Sequence, residues 1–152
     1  MGATSLESDK ALKNHSFLIA DDTPVLRSLL KKVVERLGHS ADVAADGAEA
    51  LAKVISNDYD IILMDMQMPV MDGLQATRKI RALSCKKAKV PIIGITADSL
   101  VGYEVFLDAG VNSLLRKPVA FDDLILEIRR LVNSEPVKVS PARETHTTSE
   151  TA

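Results

Sequence analysis

The 152-residue sequence predicts a doubly wound α/β domain, in which a parallel sheet carries helices on both faces. Short apolar runs rich in β-branched residues alternate five times with segments of helical periodicity. The runs lack an alternation of polar and apolar residues, which is typical of strands buried on both faces. Parallel strands need right-handed crossover connections, and the helices between them supply these connections.

The first strand–helix unit begins with the apolar run at residues 17–20. Thr23 and Pro24 predict the start of a helix, because proline is favoured at the first helical position. Gly38 is expected to end this helix. Five apolar residues recur at helical spacing and are expected to form its buried stripe: Leu26, Leu29, Leu30, Val33 and Leu37.

The second unit starts with a weaker strand, predicted at residues 40–43. Asp46 and Glu49 follow this strand with the spacing of a capping box. That spacing indicates the start of a helix, which the Ala-rich apolar pattern continues to Ser56.

The third unit contains the central strand, an unbroken apolar run at residues 61–64 that ends in Asp65. In an open α/β sheet, ligands bind where the chain leaves the carboxyl end of a strand. Taken alone, Asp65 is equally consistent with a residue that only caps a turn. Pro69 prevents further strand pairing, and Asp72 is predicted to cap a helix over residues 73–83.

Two further units complete the predicted sheet. Residues 90–95 predict a fourth strand, and the helix expected over residues 99–109 is the least regular because Gly102 lies inside it. Residues 113–116 predict the fifth strand. The last helix has a clear apolar stripe, which consists of Phe121, Leu124, Ile125, Ile128 and Leu131.

These elements define one domain over residues 15–133. Residues 1–14 are polar and aperiodic, and we expect a disordered leader there. Residues 134–152 are rich in Ser, Thr, Glu and Pro without periodicity, which predicts a disordered tail.

The composition disfavours several classes of function. A net charge of −2 gives no electrostatic reason to expect nucleic acid or an anionic membrane as a partner. With no Trp, two Tyr and three Phe, the chain has few rings on which bases stack. No apolar run reaches membrane-spanning length and no signal-peptide pattern is present, so we expect a cytoplasmic location. The single Cys85 is expected to be an ordinary cytosolic thiol.

Polar residues directly follow the predicted buried strands, and they should meet at one edge of the sheet: Asp21, Asp22, Asp65, Thr96 and Lys117. Three neighbouring carboxylates repel one another unless a cation neutralises them. Carboxylate oxygens without His or Cys nearby suit Mg²⁺, and a lysine is a point charge suited to a phosphoryl group. Together these residue types indicate phosphoryl transfer with a carboxylate nucleophile.

With these residues the sequence resembles the receiver domain of two-component response regulators and hybrid histidine kinases, over about residues 17–132. The resemblance implies a (βα)5 flavodoxin-like sheet with strand order 2-1-3-4-5. The motifs that carry it, in chain order, are the pair Asp21-Asp22, the run from Leu63 through Asp65 to Pro69 with Met71-Asp72-Gly73, the pair Thr96-Ala97, and Lys117-Pro118.

The resemblance implies a metal site that holds Mg²⁺. Asp22 and Asp65 would be direct ligands, Asp21 would act through water, and the main-chain carbonyl of Met66 would be a further ligand. No small-molecule cofactor other than the metal is expected.

The resemblance also implies the roles of the residues around the phosphoryl group. Asp65 would be the phosphoacceptor, Thr96 would hydrogen-bond the phosphoryl group, and Lys117 would pair with Asp65 and then with the phosphoryl oxygens. The Lys117-Pro118 peptide would be cis. Gln67 and Asp98 would tune the rate of phosphoryl loss, although we favour ordinary solvated loop residues at both positions.

Structural roles remain open for individual members of the set. Asp21 is also suited to cap the first helix, Thr96 to bond its own backbone, and Lys117 to lie on the surface as an ordinary lysine. The three histidines fall away from the strand ends, and we expect them on the surface: His15, His39 and His146.

The sequence departs from the family at two places. Leu114 stands where receivers commonly carry an aromatic residue, three positions before the lysine, which puts the usual coupling of Thr to a ring in doubt. No DNA-binding helix pair follows residue 133.

Analogy with the family places the phosphodonor's helices against apolar residues of the first helix and beside the lysine: Pro24, Val25, Leu26, Pro118 and Val119. Leu126, which is expected to be exposed on the last helix, is a weaker candidate for a partner surface.

We interpret the chain as a stand-alone receiver that takes a phosphoryl group from a histidine kinase or histidine-phosphotransfer protein onto Asp65. It would act as a signalling or phosphorelay switch, and would be no enzyme beyond catalysing its own phosphorylation and slow dephosphorylation. The alternatives are a receiver cut from a hybrid kinase and a pseudo-receiver that binds partners without phosphorylation. An electron carrier and a small-molecule phosphatase are disfavoured, because rings that sandwich a flavin and a substrate lid are missing from the pattern.

Overall fold

The computed structural model describes residues 14–97 and 102–133, which form a parallel five-stranded sheet with helices on both faces. The strand order is β2-β1-β3-β4-β5, as the resemblance implied. The strands are β1 (Ser16–Ala20), β2 (Ser40–Ala44), β3 (Ile61–Asp65), β4 (Ile92–Thr96) and β5 (Ser113–Arg116). The helices are α1 (Pro24–Arg36), α2 (Gly47–Ser56), α3 (Gly73–Arg81), α4 (Tyr103–Ala109) and α5 (Phe121–Asn133), and a 3₁₀ turn covers Lys86–Lys89.

The core lies on both faces of the sheet, because successive strand residues point to opposite sides. Leu18, Ile62 and Met64 pack on the face that α2, α3 and α4 cover. Phe17 and Leu63 pack on the face that α1 and α5 cover. The residues of β3 and β4 are all buried, which confirms the interpretation of their apolar runs as central strands.

The helix caps explain why two helices begin where the sequence predicts. The Asp72 carboxylate accepts from the Gln75 amide, and the Gln75 side chain accepts from the Asp72 amide, which is a complete capping box. The Asp46 carboxylate accepts from the Glu49 amide in the same way. The Glu49 carboxylate reaches one residue further back and accepts from the amide of Ala45.

Three element boundaries differ from the prediction by two residues or more. β4 begins at Ile92 rather than at residue 90, since Pro91 has no N–H to donate to the ladder. α3 ends at Arg81, and a tighter turn follows in which the Leu83 amide donates to the Ile80 carbonyl. Gly102 is not inside a helix: it is the extended N-cap of α4, and residues 99–101, which were predicted to belong to that helix, lie outside the described residues.

The predicted buried stripes are wrong at two positions, one in α1 and one in α5. Leu29 of α1 is 41% exposed, and Val34 is buried in its place because the buried face is centred on Leu30. Phe121 is 37% exposed at the start of α5. The same helix buries Glu127, whose carboxylate accepts from the Ser113 hydroxyl at 2.9 Å and from Arg130 at 2.8 Å; the pattern gave no sign of this.

The predictions of a leader at residues 1–14 and of a tail at residues 134–152 fall almost entirely outside the described residues, as does His146. Among the helices that the structure describes, none combines the length and the apolarity needed to cross a membrane.

His15 and His39 are half-buried rather than on the surface as predicted. The His39 ring lies 5.2 Å from the Phe17 ring, and its Nδ1 accepts from the His15 amide at 3.1 Å. Burial, the neighbouring His15 and, in the opposite sense, Asp60 act on His39, and together they lower its pKa. A protonated Nδ1 cannot accept a hydrogen bond, so the fold favours the neutral ring.

A pH-dependent loss of stability follows from the lowered pKa of His39. The unfolded chain binds the proton more readily, so the free energy of unfolding should fall as the pH drops through the ordinary pKa of histidine, about 6.5. His39→Asn keeps an acceptor at the position of Nδ1 and does not titrate. Urea unfolding between about pH 7.5 and pH 5.5 should therefore give a smaller pH slope for this variant, and equal slopes would show that His39 is not a source of the dependence.

Candidate phosphoacceptor and metal site

Three carboxylates meet at the carboxyl edge of the sheet. Asp21 and Asp22 follow β1, and Asp65 is the last residue of the adjacent strand β3. One oxygen from each carboxylate lies within 4.8 Å of the others. Asp21 and Asp65 are fully buried, whereas Asp22 is exposed, so the cluster opens to solvent on one side.

Asp65 makes two hydrogen bonds, one through each oxygen. Its Oδ1 accepts from the Gln67 amide at 3.0 Å, and its Oδ2 accepts from the Lys117 ammonium at 3.1 Å. Burial raises the pKa of Asp65 most strongly, and the neighbouring Asp21 carboxylate adds to the rise. The Gln67 amide and the Lys117 charge oppose it, and the net direction is upward. An ionised Asp65 is thus costly in this fold without a further positive charge.

Asp21 has one satisfied and one unsatisfied oxygen. Its Oδ1 accepts from the Thr23 amide at 2.8 Å. Thr23 is the N-cap of α1 and no side chain caps that helix start, so Asp21 is not the helix cap that the sequence also allowed. Its Oδ2 is buried and has no hydrogen-bond partner among residues 14–97 and 102–133, and the Lys117 ammonium lies 4.0 Å away. A buried carboxylate oxygen without a partner costs free energy, which a bound cation would recover.

The donor set of this edge fits a small, hard divalent cation. Within the described part of the chain, the cluster consists of three carboxylates without His or Cys, and hard oxygen ligands suit Mg²⁺. The Met66 carbonyl accepts from the Gly73 amide at 3.1 Å, which leaves its second lone pair for a metal.

Lys117 and Thr96 belong to neighbouring strand ends. The Lys117 amide donates to the Thr96 carbonyl at 2.8 Å, and the Lys117-Pro118 peptide is cis, as the resemblance implied. Asp65 pairs with Ile95 in the sheet, so buried Thr96 lies one residue beyond it on β4. The five residues singled out from the sequence thus follow β1, end β3 and β4, and follow β5.

The other residues named from the sequence form no side-chain hydrogen bond with Asp65 among the described residues. Gln67 is exposed and contacts Asp65 through its main chain, while Asp98 lies outside the described residues. Leu114 is 3% exposed and packs in the core. His15 and His39 contact each other beside Phe17, whose strand then runs to the acidic edge at its other end, so neither is a ligand of this cluster.

Three further residues, Arg27, Gly47 and Gly73, hold the site in place through contacts that the sequence did not indicate. The Arg27 guanidinium of α1 donates to the Asp21 carbonyl at 2.7 Å. A Cβ at Gly73 would lie 2.1 Å from the Asp65 carbonyl oxygen, and one at Gly47 would lie 2.2 Å from that of Met71. The sequence signals these two close approaches only through position: each glycine directly follows an aspartate, Asp72 or Asp46, that caps a helix.

The topology and this edge define a class: a flavodoxin-like α/β domain with an acidic site outside the carboxyl ends of its strands. Residues 17–129 match the family model of the response regulator receiver domain, and the chain belongs to that family.

Curated relatives include large sensor kinases. The chain is 41% identical over 117 residues to the sensor protein EvgS of Escherichia coli, a match that covers 76% of this chain and 10% of EvgS. It is 38% identical over 119 residues to the sensor histidine kinase RcsC of the same species, with 76% of this chain and 12% of RcsC covered. The match therefore spans only a small part of these relatives.

Solved structures of receivers share the fold. The receiver domain of a sensor histidine kinase from Pseudomonas aeruginosa, which has a magnesium ion coordinated in its active site cleft, is 37% identical with a TM-score of 0.73, and 80% of this chain and 99% of that chain are covered. The response regulator TrrA from Thermotoga maritima, in complex with Mg²⁺-BeF, is 33% identical with a TM-score of 0.69, and the coverage is 77% and 98%.

Proposed function

We propose that this receiver accepts a phosphoryl group onto Asp65 from a phosphohistidine of a histidine kinase or histidine-phosphotransfer protein, with Mg²⁺ as cofactor. One observation carries the proposal: the buried Asp65 carboxylate lies at once within the acidic cluster and 3.1 Å from the Lys117 ammonium. A nucleophile flanked by a cation site and a fixed positive charge is the arrangement that phosphoryl transfer requires.

In the proposed step, a carboxylate oxygen of Asp65 attacks phosphorus, and an acyl phosphate bond forms as the P–N bond of the phosphohistidine breaks. The released imidazole takes a proton from solvent. Lys117 offers a positive charge to the phosphoryl oxygens, and Thr96 offers a hydroxyl donor. Asp21, Asp22, Asp65 and the Met66 carbonyl would hold Mg²⁺, which supplies charge neutralisation. Attack of water on phosphorus would return Asp65 to the free acid.

The surroundings of the site suit a protein phosphodonor. Val25 at the start of α1 is 69% exposed and Leu29, one turn further on, is 41% exposed. Pro24 and Pro118 are exposed next to the same edge. Apolar side chains beside an open acidic site would form the rim on which the donor's helices dock.

The proposal is compatible with two settings. The relatives include kinases of which the match covers about a tenth, so a receiver that belongs to a hybrid kinase and a stand-alone receiver are both consistent with the proposal. The competing function is a pseudo-receiver that binds partners without phosphorylation, and it differs in the chemistry at Asp65.

The test is the intact mass of the protein after incubation with acetyl phosphate, with Mg²⁺ and with EDTA. We expect the gain of one phosphoryl group only with Mg²⁺, and borohydride reduction followed by peptide mapping should place it at Asp65. A phosphorylated histidine-phosphotransfer protein should transfer its group to the same residue. If no adduct forms from either donor, the pseudo-receiver interpretation replaces the proposal.

Lys117→Met should separate metal binding from phosphoryl transfer. The change removes a positive charge next to the acidic cluster, so Mg²⁺ affinity should stay the same or rise. Loss of a donor that stabilises transferred charge typically costs about 100-fold in rate, and we expect a decrease of that order in phosphorylation. Lys79→Met, on the exposed face of α3, is the control. An unchanged phosphorylation rate would remove Lys117 from the mechanism.

A further inference from the structure

A second concave site lies far from the acidic cluster, at the amino edge of the sheet. It is a pocket of about 270 Å³ between the end of α2, the start of β3 and the 3₁₀ turn Lys86–Lys89. Val54, Ile62 and Val90 are buried apolar residues on its wall, and the Tyr59 ring packs against the same core. None of these residues takes part in the proposed phosphoryl transfer.

The walls of this pocket are tied together by hydrogen bonds. The Lys87 ammonium donates to the Asn57 carbonyl at 2.6 Å and to the Asp58 carboxylate at 2.9 Å, which joins the 3₁₀ turn to the loop after α2. The Arg81 guanidinium donates to the Ala88 carbonyl at 2.7 Å and fixes the other side of the turn. The Tyr59 hydroxyl donates to the Asp42 carboxylate at 2.6 Å. The pocket is therefore held by several contacts.

The pocket lining carries a net positive charge, because three lysines, Lys86, Lys87 and Lys89, face two carboxylates, Asp58 and Asp60. In a 3₁₀ turn, side chains at positions i and i+3 eclipse, so Lys86 and Lys89 leave the turn on one side. Among residues 14–97 and 102–133, neither lysine forms a salt bridge. The two pocket carboxylates are already engaged, Asp58 with Lys87 and Asp60 with the Ser16 amide at 2.7 Å.

We propose that this pocket binds a small organic anion, with a ring-sized apolar body on the Val54–Tyr59–Ile62 wall and a phosphate or carboxylate head between Lys86 and Lys89. The volume lies just below the range of about 300–1,000 Å³ that drug-sized ligands occupy, which favours a single ring with one charged group. The head would relieve the repulsion between the two ammonium groups. The body would cover the half-buried Tyr59 ring, because Val54 and Ile62 beneath it are already 2% and 0% exposed.

The test is a nitrogen–proton NMR titration without Mg²⁺, using three probes. Phenylphosphonate carries both a ring and an anionic head, and it has no transferable phosphoryl group; inorganic phosphate and benzyl alcohol each carry one part. We expect phenylphosphonate to give saturable shifts of the amides at residues 57–62 and 86–90, and to bind more tightly than either partial probe. The variant with Lys86→Gln and Lys89→Gln should bind at least about tenfold more weakly, a loss near 1.4 kcal/mol.

The matched control is the variant with Lys32→Gln and Lys79→Gln, which loses the same charge from exposed positions of α1 and α3. It should bind phenylphosphonate as the parent protein does. Three results would each overturn the proposal: no saturable shift in the two segments, shifts confined to the edge that carries Asp65, or equal binding by the Lys86/Lys89 variant and the parent. Equal binding of inorganic phosphate would also overturn it, because the apolar wall would then have no role.

Discussion

Asp65→Asn should abolish the Mg²⁺-dependent mass gain while leaving the protein folded and more stable than the parent in metal-free buffer. The amide keeps the acceptor for the Gln67 N–H but cannot attack phosphorus. It also removes a buried charge whose pKa is raised by burial and by Asp21. Because a group with a raised folded-state pKa opposes folding when ionised, its removal should increase the free energy of unfolding at neutral pH.

Metal should reverse that order of stability. A ligand that binds only the folded state adds free energy that grows with its concentration, so Mg²⁺ should stabilise the parent and stabilise Asp65→Asn much less. Urea unfolding with Mg²⁺ and with EDTA measures both effects. Asp108→Asn, an exposed change on α4, should behave as the parent in both buffers. If Asp65→Asn still gains a phosphoryl group, another residue is the acceptor.

The sequence was sufficient to predict the sheet and the gathering of the site, for a physical reason. Asp65 follows an apolar run that is too short for a helix, and every residue of that strand is buried. Once the strands are parallel, the residues after them must share an edge, which is why Asp21 and Asp65 come within reach of Lys117. The strand order was predicted from the resemblance of the motifs to one family.

What the sequence could not predict depends on contacts between distant segments. The Arg27 bond to the Asp21 carbonyl requires the exact rotation of α1, which a periodic pattern does not determine. The exposure of Leu29 depends on the same rotation. The buried Glu127 requires the Ser113 hydroxyl on β5 as its partner, and the lysine-rimmed pocket requires α2 and the 3₁₀ turn to meet. Residue type alone gives none of these distances.

Gly73→Ala should destabilise the fold strongly, although alanine normally favours a helix over glycine. The new Cβ would lie 2.1 Å from the Asp65 carbonyl oxygen and 2.8 Å from the Met66 Cα. Both are main-chain atoms, one in the last residue of β3 and one in the residue after it, so no side-chain rotation can relieve the overlap. Overpacking a core costs about 1–3 kcal/mol, occasionally more, and a rigid main-chain clash belongs at or above the upper end. Urea unfolding of the purified variant measures the loss.

Gly102→Ala is the matched control, because among the described residues a Cβ there would meet only the flexible end of the Glu104 side chain. Its backbone, with φ of −65°, is open to any residue, so its free energy of unfolding should stay within about 0.5 kcal/mol of the parent's. The phosphorylation rate of the folded protein distinguishes an effect on the site from a general loss of stability. Any relaxation must displace Asp65 or Met66, so the folded fraction of Gly73→Ala should also be phosphorylated more slowly than Gly102→Ala. Equal stability of the two variants would show that the close approach of α3 to the end of β3 is not required.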